Sequence, residues 1–295
     1  MTQGDRMQYL KRLFSRRPRI SERQLLASPQ TMFGSALVYD QTDENGDRVR
    51  VLSINGLKES ASYIDERWNE LVFDYTERYN LMFASGIPLQ RVLMIGGGGY
   101  SYPKYLITHR SEITLDVVEI DPAITELARE FFFLDRLEDE FGAESSGRLR
   151  IICADGRTYL EEQARKGQAA RYEAVLNDSF AAGVPAPSLT TMEAAQAVKG
   201  CLVPSGLYLV NVVASLEGRS ARFLQAQMRT LAQVFAHVHV VPVSDFGIGF
   251  VPDNLMVIAT DGPYRFPGET SVAIPDDAPV LTDAENPVED LVDWV

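Results

Sequence analysis

Short apolar runs alternate with amphipathic segments along the chain from residue 90 onward. An apolar run bounded by turn residues predicts a buried strand, and apolar positions at helical spacing predict a helix. Strands that alternate with helices in this way are typically parallel and joined by crossovers. The predicted strands are 91–95, 113–119, 148–153, 172–177, 205–213, 237–243 and 255–260, and the predicted helices are 101–109, 122–134, 156–166, 190–201 and 217–235.

The last two predicted strands follow each other through a loop, with no helix between them. They should therefore pair antiparallel, because a parallel pair needs a long crossover connection. The pattern as a whole predicts an α/β fold with a doubly wound, mostly parallel sheet of seven strands, the last of them antiparallel.

The pattern before residue 90 differs and predicts a small β unit in front of this fold. Two strand-like runs, Phe33–Tyr39 and Arg48–Ile54, flank a turn, and Ser62–Ala84 has helical spacing. The resulting division is a basic N-terminal extension (1–30, with a short helix at Met7–Phe14 or a flexible arm), a β-hairpin subdomain (31–60), a large α/β domain (61–261) and an acidic, irregular C-terminal tail (262–295).

A glycine run follows the first strand of the predicted sheet. Gly96, Gly97, Gly98 and Gly99 come directly after an apolar run and before a predicted helix. Glycine permits positive φ and lets backbone N–H groups approach a ligand closely. A strand, a glycine turn and a helix in this order form a phosphate or nucleotide cradle. The alternative interpretation is a tight turn without a ligand.

Carboxylates end the next two predicted strands. Glu119 lies 20 positions after the last loop glycine, where an acidic side chain accepts hydrogen bonds from ribose hydroxyls. Asp155, followed by Gly156, is placed to accept from an adenine amino group. Asp121 belongs to the same candidate set, but it precedes a proline and also fits a helix N-cap. A cap or a solvated strand end is the alternative for each carboxylate.

A further carboxylate, Asp178, ends the predicted strand 172–177. The residues after it are rich in Gly and Pro, a composition typical of a lid. A carboxylate at this edge of the sheet can orient an amine nucleophile or accept its proton. The alternative is that Asp178 only caps the turn. Glu59, Asp74 and Tyr75 are candidates for contact with the acceptor substrate.

The amino-acid composition restricts the classes of partner that the protein is expected to bind. The formal net charge of −13 argues against a nucleic acid or an anionic membrane as a partner, because both require a basic surface. No apolar run is long enough to span a bilayer, and the N-terminus has no apolar signal core, so we expect no membrane segment and no secretion. The two cysteines, Cys153 and Cys201, fit reduced core residues, and a cytoplasmic location is expected.

The sequence lacks the motifs of several other types of functional site. His237 and His239 share one face of a predicted strand, but a metal site would need a third ligand, so no metal is predicted. The nucleophile motif Gly-x-Ser-x-Gly is absent, and no Ser-His-Asp pattern stands out. The glycine run does not lead into Gly-Lys-Ser/Thr, which argues against a P-loop nucleotidase.

Taken together, these motifs resemble the spermidine synthase (polyamine aminopropyltransferase) family over residues 35–260. The resemblance rests on Ile54–Leu57, Val92–Gly98, Val117–Asp121, Ala154–Gly156 and Asn177–Ser179. It implies a Rossmann-like class I fold and S-adenosylmethionine (AdoMet) or decarboxylated AdoMet as a co-substrate, without a metal. It further implies that Glu119 binds the ribose, that Asp155 and Gly156 flank the adenine, that Asp178 is catalytic, and that the protein is a homodimer through its N-terminal β unit.

The departures from the family pattern bear on the substrate. The family has an Asp where this chain has Gly99, and a second Asp in the gate where this chain has Ala181. The family's Gln after the hairpin is Glu59 here, and its Tyr-His pair has no histidine counterpart beside Tyr75. A desolvated ammonium needs paired charge. The losses therefore favour methyl transfer to a small-molecule acceptor other than a polyamine, with Asp178 orienting or deprotonating the nucleophile.

Two alternatives stay open at this point. Aminopropyl transfer to a polyamine is possible if Glu59 or Asp74 replaces the missing carboxylates. A descendant that binds a nucleotide without catalysis would also keep the fold and lose the amine site. A nicotinamide-dependent oxidoreductase also binds its nucleotide at the carboxyl edge of such a sheet, but Asp155 and Asp178 are not part of its sequence pattern.

Overall fold

The computed structural model describes residues 23–167, 171–181, 183–244 and 251–292 of the 295-residue chain. The predicted helix Met7–Phe14 lies outside these ranges. The described part of the chain begins with an antiparallel five-stranded sheet in which β1, β3, β4 and β5 are neighbours and β2 pairs with β3. Its strands are β1 Gln24–Ala27, β2 Gln30–Thr31, β3 Gly34–Thr42, β4 Arg48–Ile54 and β5 Leu57–Tyr63.

The second sheet has seven strands and confirms the predicted fold class. Five parallel strands are followed by β14, which pairs antiparallel with both β12 and β13, in the order β13-β14-β12-β9-β6-β7-β8. The strands are β6 Arg91–Ile95, β7 Thr114–Glu119, β8 Leu149–Cys153, β9 Tyr172–Asn177, β12 Leu202–Ala214, β13 His237–Pro242 and β14 Asp253–Thr260. A short hairpin, β10 Phe180–Ala181 and β11 Val184–Pro185, follows β9.

Helices cover both faces of this sheet, because its central strands are apolar on both sides. On one face a buried cluster joins the sheet to α2, α3, α4 and the N-terminal strands; on the other, a second cluster joins it to α5, α6 and α7. The helices are α1 Asp74–Glu77, α2 Ser101–His109, α3 Pro122–Phe131, α4 Leu134–Phe141, α5 Gly156–Arg165, α6 Met192–Cys201, α7 Arg222–Leu231 and α8 Val288–Leu291, with 3₁₀ helices at Arg78–Ser85, Pro187–Leu189 and Arg219–Ala221.

The predicted helix Ser62–Ala84 is wrong. Strand pairing with β4 continues to Tyr63, residues 64–73 are irregular, and only α1 and the 3₁₀ helix Arg78–Ser85 are helical. Trp68, Tyr79 and Met82 are nevertheless buried. The apolar spacing therefore identified the buried residues, while tertiary contacts determined the backbone conformation.

The predicted helix 122–134 is also interrupted. It ends at Phe131, and Phe133 adopts a left-handed backbone with φ of 64° before α4 begins. Leu134 and Leu137 are buried on this second helix. Helix α4 was not predicted from the sequence. The predicted helix 217–235 is shorter in the structure, where it is confined to α7 and the 3₁₀ turn before it.

The N-terminal sheet is held against the helix that follows the glycine run. Ser101 Oγ donates to the Ala61 carbonyl at 2.9 Å, and the fully buried Lys104 Nζ donates to Ser62 Oγ at 2.7 Å and to the Phe132 carbonyl at 2.6 Å. Burial without a carboxylate partner lowers the pKa of Lys104 to about 7. These contacts place the end of β5 over the carboxyl edge of the large sheet.

Residues 262–292 are irregular apart from α8 and an isolated bridge between Val240 and Thr270. They are not detached from the fold, since Leu281 and Val288 are buried in the cluster with α6 and α7. Among the described helices, none combines the length and the apolar character that crossing a membrane requires.

Candidate functional site

A cavity of about 450 Å³ lies at the carboxyl ends of β6, β7, β8 and β9, beneath the N-terminal sheet. Ligands of open α/β sheets bind at this edge. The hairpin β10–β11 borders the cavity through Phe180 and Gly183, and the N-terminal sheet borders it through β4 and β5. The predicted site residues that line it are Gly96, Gly97, Gly98, Glu119, Asp155, Gly156, Asp178, Glu59 and Tyr75.

The glycine loop requires glycine at its first position. Gly96 has φ of +90°, and a Cβ there would lie 2.5 Å from the carbonyl oxygen of Asp178. This close approach lets the end of β6 pass beside the end of β9, so the loop and Asp178 are fixed relative to each other. Gly99 does not line the cavity; a Cβ there would lie 2.6 Å from Ser60 Oγ.

Replacing Gly96 with alanine should destabilise the protein by about 2–4 kcal/mol, because a strained φ and a backbone clash add. The matched control is Gly46→Ala, since Gly46 has φ of +91° with no atom within 4 Å of its Cβ position. Urea unfolding of both variants measures the difference. Equal destabilisation of the two would show that the approach to Asp178 imposes no constraint.

Glu119 is buried and bound to the glycine loop. Its Oε2 accepts from Gly97 N at 2.8 Å and Gly98 N at 3.3 Å, and its Oε1 accepts from Asp121 N at 3.0 Å. Burial raises the pKa of Glu119, and the three backbone donors oppose that rise. A carboxylate offers about four acceptor positions. Glu119 therefore fixes the loop and keeps an acceptor position for a ligand hydroxyl.

Asp155 and Gly156 form the opposite wall. Asp155 Oδ1 accepts from Thr158 N at 2.8 Å and from Thr158 Oγ1 at 2.9 Å, so it caps α5 while lining the cavity. A Cβ at Gly156 would lie 2.6 Å from Ile95 Cγ2, which explains the glycine by close packing of helix on strand. Asp155 is therefore both the N-cap of α5 and a residue of the candidate site.

Asp121 and Asp74 lie outside the cavity lining. Asp121 is the N-cap of α3: its Oδ1 accepts from Ala123 N at 2.9 Å, and its Oδ2 accepts from Met32 N at 2.6 Å. Its carboxylate is therefore occupied in joining the N-terminal sheet to α3. Asp74 is exposed at the start of α1. The placement of these two residues does not support direct ligand contact.

Asp178 is held by two side chains from distant parts of the chain. Its Oδ1 accepts from Asn211 Nδ2 at 2.9 Å, and its Oδ2 accepts from Tyr75 OH at 3.2 Å. Burial raises the pKa of Asp178, while these hydrogen bonds favour its ionised form. The carboxylate is thereby oriented by two donors and buried, an arrangement compatible with general-base chemistry.

A second carboxylate faces the same cavity. Burial, together with the charge of Asp178, raises the pKa of Glu59 from 4.5 to about 7. A carboxylate whose pKa is raised by burial and by a neighbouring carboxylate is stabilised in its ionised form when a cation binds next to it. The pair Glu59 and Asp178 is thus suited to a ligand that carries an ammonium group.

Asn211 was not among the residues singled out from the sequence. It lies on β12, where its neighbour Val210 pairs with Asn177 of β9. Its Oδ1 is buried and has no hydrogen-bond partner among the described residues. The sequence did contain a signal for this residue, because Asn211 is a single amide inside the apolar run Leu207–Ala214.

The two strand histidines lie outside the cavity lining. His239 Nδ1 lies 2.9 Å from Glu269 Oε2, and neither histidine lines the cavity. Within the described ranges, no group of three or more His, Cys, Asp and Glu side chains is arranged to hold a metal ion.

The family model for the spermine/spermidine synthase domain matches residues 78–252, which is more than half of the chain. The chain belongs to this family. The match begins at the 3₁₀ helix before β6 and covers the glycine loop, Glu119, Asp155, Asp178 and Asn211. Family membership thus includes most of the cavity lining, whereas Glu59 and Tyr75 lie before the matched region.

Two curated relatives differ in the reaction that their names give. The polyamine aminopropyltransferase 2 of Hyperthermus butylicus is 33% identical over 193 residues, covering 64% of this chain and 57% of the relative. The human eEF1A lysine and N-terminal methyltransferase is 31% identical over 134 residues, covering 43% of this chain and 18% of the relative. The chain therefore spans less than two thirds of the length of either protein.

A solved structure confirms the fold. The probable spermidine synthase from Corynebacterium glutamicum superposes with a TM-score of 0.69 at 19% identity, covering 88% of this chain and 97% of that one. The likeness includes the Rossmann-like domain. At this identity the likeness establishes the architecture alone.

Proposed function

We propose that this spermidine-synthase-like protein is a transferase that moves a methyl group from AdoMet to an amine of a small-molecule acceptor. The observation that carries the proposal is the carboxylate pair of Glu59 and Asp178 in a cavity that also contains the glycine loop. The loop fits a nucleotide, and the carboxylate pair fits a cationic acceptor beside it.

The nucleotide half of the proposal rests on a cradle built of backbone. The glycine loop packs tightly on the protein, since a Cβ at Gly97 would lie 2.7 Å from the Tyr100 ring, and it presents its backbone to the cavity. Glu119 supplies an acceptor for ribose hydroxyls, and Asp155 and Gly156 form the wall for an adenine. When bound, AdoMet supplies an electrophilic carbon on a positively charged sulfur.

The residues of the chain contribute positioning and proton acceptance. Attack by the amine nitrogen forms one N–C bond as the C–S bond breaks, the electron pair stays on sulfur, and the amine loses one proton. Asp178, oriented by Tyr75 and Asn211, is placed to accept that proton or to hold the amine in line. No described residue donates to the buried Asn211 Oδ1, which is therefore able to accept a hydrogen bond from an amine N–H.

Methyl transfer is supported by the end of the glycine loop. No carboxylate follows Gly98; the groups there are the hydroxyls of Ser60 and Ser101, 3.1 Å apart, and Lys58 is a cation in the lining. These groups suit a donor that carries its own carboxylate, as AdoMet does. The name of the human relative adds support for methyl transfer to amines.

Aminopropyl transfer is the second candidate, and one observation favours it. Glu59 lines the cavity beside Asp178 and could pair with the amine of decarboxylated AdoMet in place of the missing loop carboxylate. The name of the Hyperthermus relative is consistent with this alternative.

Calorimetric titration with AdoMet, decarboxylated AdoMet and methylthioadenosine distinguishes the candidates. We expect AdoMet to bind at least about tenfold more tightly than decarboxylated AdoMet, which is about 1.4 kcal/mol. The reverse order would establish the aminopropyl alternative and make polyamines the first acceptors to test. Binding of AdoMet without turnover on a panel of primary and secondary amines would point to a non-catalytic nucleotide-binding protein, and failure to bind any of the three would contradict the proposal.

A further inference from the structure

The C-terminal residues 281–286, here named the C-terminal strap, are bonded to the segment that walls one side of the cavity. Leu281 is fully buried, its N–H donates to Thr230 Oγ1 at 2.9 Å, and its carbonyl accepts from Met192 N at 2.8 Å. Both ends of this contact are internal to the α6–α7 layer. The strap is therefore fixed to the body of the domain.

An aspartate of the strap forms a bidentate ion pair with an arginine next to the cavity. Asp283 accepts from Arg157 at 2.9 Å and 2.7 Å, and Thr191 Oγ1 donates to Asp283 at 2.7 Å. The Arg157 side chain is only 14% exposed, whereas that of Asp283 is 48% exposed, so the guanidinium is shielded from water and the carboxylate is partly hydrated. The Arg157 guanidinium holds the pKa of Asp283 below its usual range. Paired, planar hydrogen bonds of this kind fix orientation as well as distance.

Residues 186–191, here named the wall segment, receive these contacts. Arg157 Nη1 donates to the Ser188 carbonyl at 3.1 Å, and Asn286 Nδ2 of the strap donates to the Pro187 carbonyl at 2.7 Å. Ser188 and Leu189 line the cavity, and Leu189 Cδ1 would lie 3.4 Å from a Cβ at Gly156. The strap thus holds the wall segment against the start of α5, opposite the glycine loop.

The wall segment also continues directly from the hairpin β10–β11 that borders the cavity. Ala186 N donates to the Ser179 carbonyl at 3.2 Å, so the base of the hairpin closes next to the wall segment. The position of the wall segment therefore also determines where the base of the hairpin lies.

We propose that Asp283 and Asn286 are positioning residues for the nucleotide: the strap holds the wall segment where the adenine binds, through Arg157. This rests on the nucleotide site of the proposed function. Neither residue touches the reacting groups. Loss of either contact should therefore weaken nucleotide binding and leave the turnover of the saturated enzyme unchanged.

The test compares Asp283→Asn with Asp277→Asn, which makes the same charge change at an exposed position of the same tail. S-adenosylhomocysteine is the probe for calorimetry, and deuterium exchange of residues 186–191 reports on the wall segment. We expect Asp283→Asn to weaken S-adenosylhomocysteine binding about tenfold and to speed exchange, because hydrogen bonds between charged groups are lost. Asp277→Asn should match the wild type in both measurements, and Asn286→Ala should change both in the same direction as Asp283→Asn, to a smaller extent.

The outcomes separate this proposal from the function on which it rests. Wild-type binding with equal affinity in Asp283→Asn and Asp277→Asn overturns the positioning role and leaves the proposed function intact. A fall in turnover at saturating nucleotide, with affinity unchanged, overturns it as well. If the wild type binds no nucleotide, the proposed function fails. Deuterium exchange still tests the anchoring in that case, because an unchanged exchange rate of residues 186–191 in Asp283→Asn would overturn it. Should Asp283→Asn fold poorly, the same readouts on Asn286→Ala decide.

Discussion

Replacing Asp178 with asparagine is expected to lower turnover by about a thousandfold, on the scale of general acid–base and electrostatic contributions to catalysis. Nucleotide affinity should stay near that of the wild type. The amide keeps the size of the side chain and one acceptor for Tyr75 or Asn211. It cannot take a proton from an amine and carries no charge to attract one. Single-turnover kinetics with saturating AdoMet measures the chemical step, and calorimetry measures nucleotide binding.

Asp74→Asn is the matched control for this experiment. It makes the same change on α1, where Asp74 is exposed and outside the cavity lining. Its turnover should lie within about twofold of the wild type, as expected of a surface substitution. Turnover of Asp178→Asn equal to that of the control would mean that Asp178 is only a turn residue. A parallel loss of nucleotide affinity would assign it to the donor site instead.

The sequence was sufficient to predict the large sheet. Most of its strands are apolar runs separated by helices, so the local sequence predicts each of them, and the crossover rule then predicts that they lie parallel. The same rule brings Gly96, Glu119, Asp155 and Asp178 to one edge, because the carboxyl ends of parallel strands coincide. The α/β prediction and the reversed last strand are both confirmed on this basis.

What the sequence could not supply depends on long-range contacts. The segment Ser62–Ala84 has the apolar spacing of a helix, yet pairing with β4 holds Tyr63 in a strand. The contact between Asn211 and Asp178 joins residues 33 positions apart, and that between Arg157 and Asp283 joins residues 126 apart. Residue spacing in the sequence does not predict such contacts, because they form only when separate elements pack together.

The change Glu59→Gln is expected to have opposite effects on acceptor binding and on stability. The substitution removes one carboxylate of the Glu59 and Asp178 pair, so kcat/KM for a cationic acceptor should fall about a hundredfold, on the scale of a lost charged hydrogen bond. The nucleotide should bind as before. In the wild type, acceptor binding should weaken as the pH falls through about 7, where Glu59 becomes protonated. The variant should lack this inflection.

Stability should change with the opposite sign, and the pH window follows from the direction of the shift. Because the pKa of Glu59 rises from 4.5 to about 7 on folding, the folded state binds its proton more tightly than the unfolded chain does. Its stabilising contribution is therefore complete below pH 4.5 and is lost as the pH rises through 7. Glutamine does not ionise, so Glu59→Gln should be more stable than the wild type at pH 8, by on the order of 1–3 kcal/mol, and equally stable at acidic pH.

Thermal unfolding of the ligand-free proteins at several pH values, beside acceptor kinetics over the same range, tests both effects. Lys58→Gln is a useful comparison because Lys58 also lines the cavity but is exposed and of opposite charge. If Glu59→Gln lowers stability at pH 8, the carboxylate has a structural partner and is not held for a ligand. If stability rises while acceptor kinetics are unchanged, the charge is strained but the acceptor binds elsewhere. A rise in stability together with a loss of acceptor binding is the expected result for a carboxylate that binds an ammonium ligand, since the ligand supplies a counter-charge that no described residue gives to Glu59.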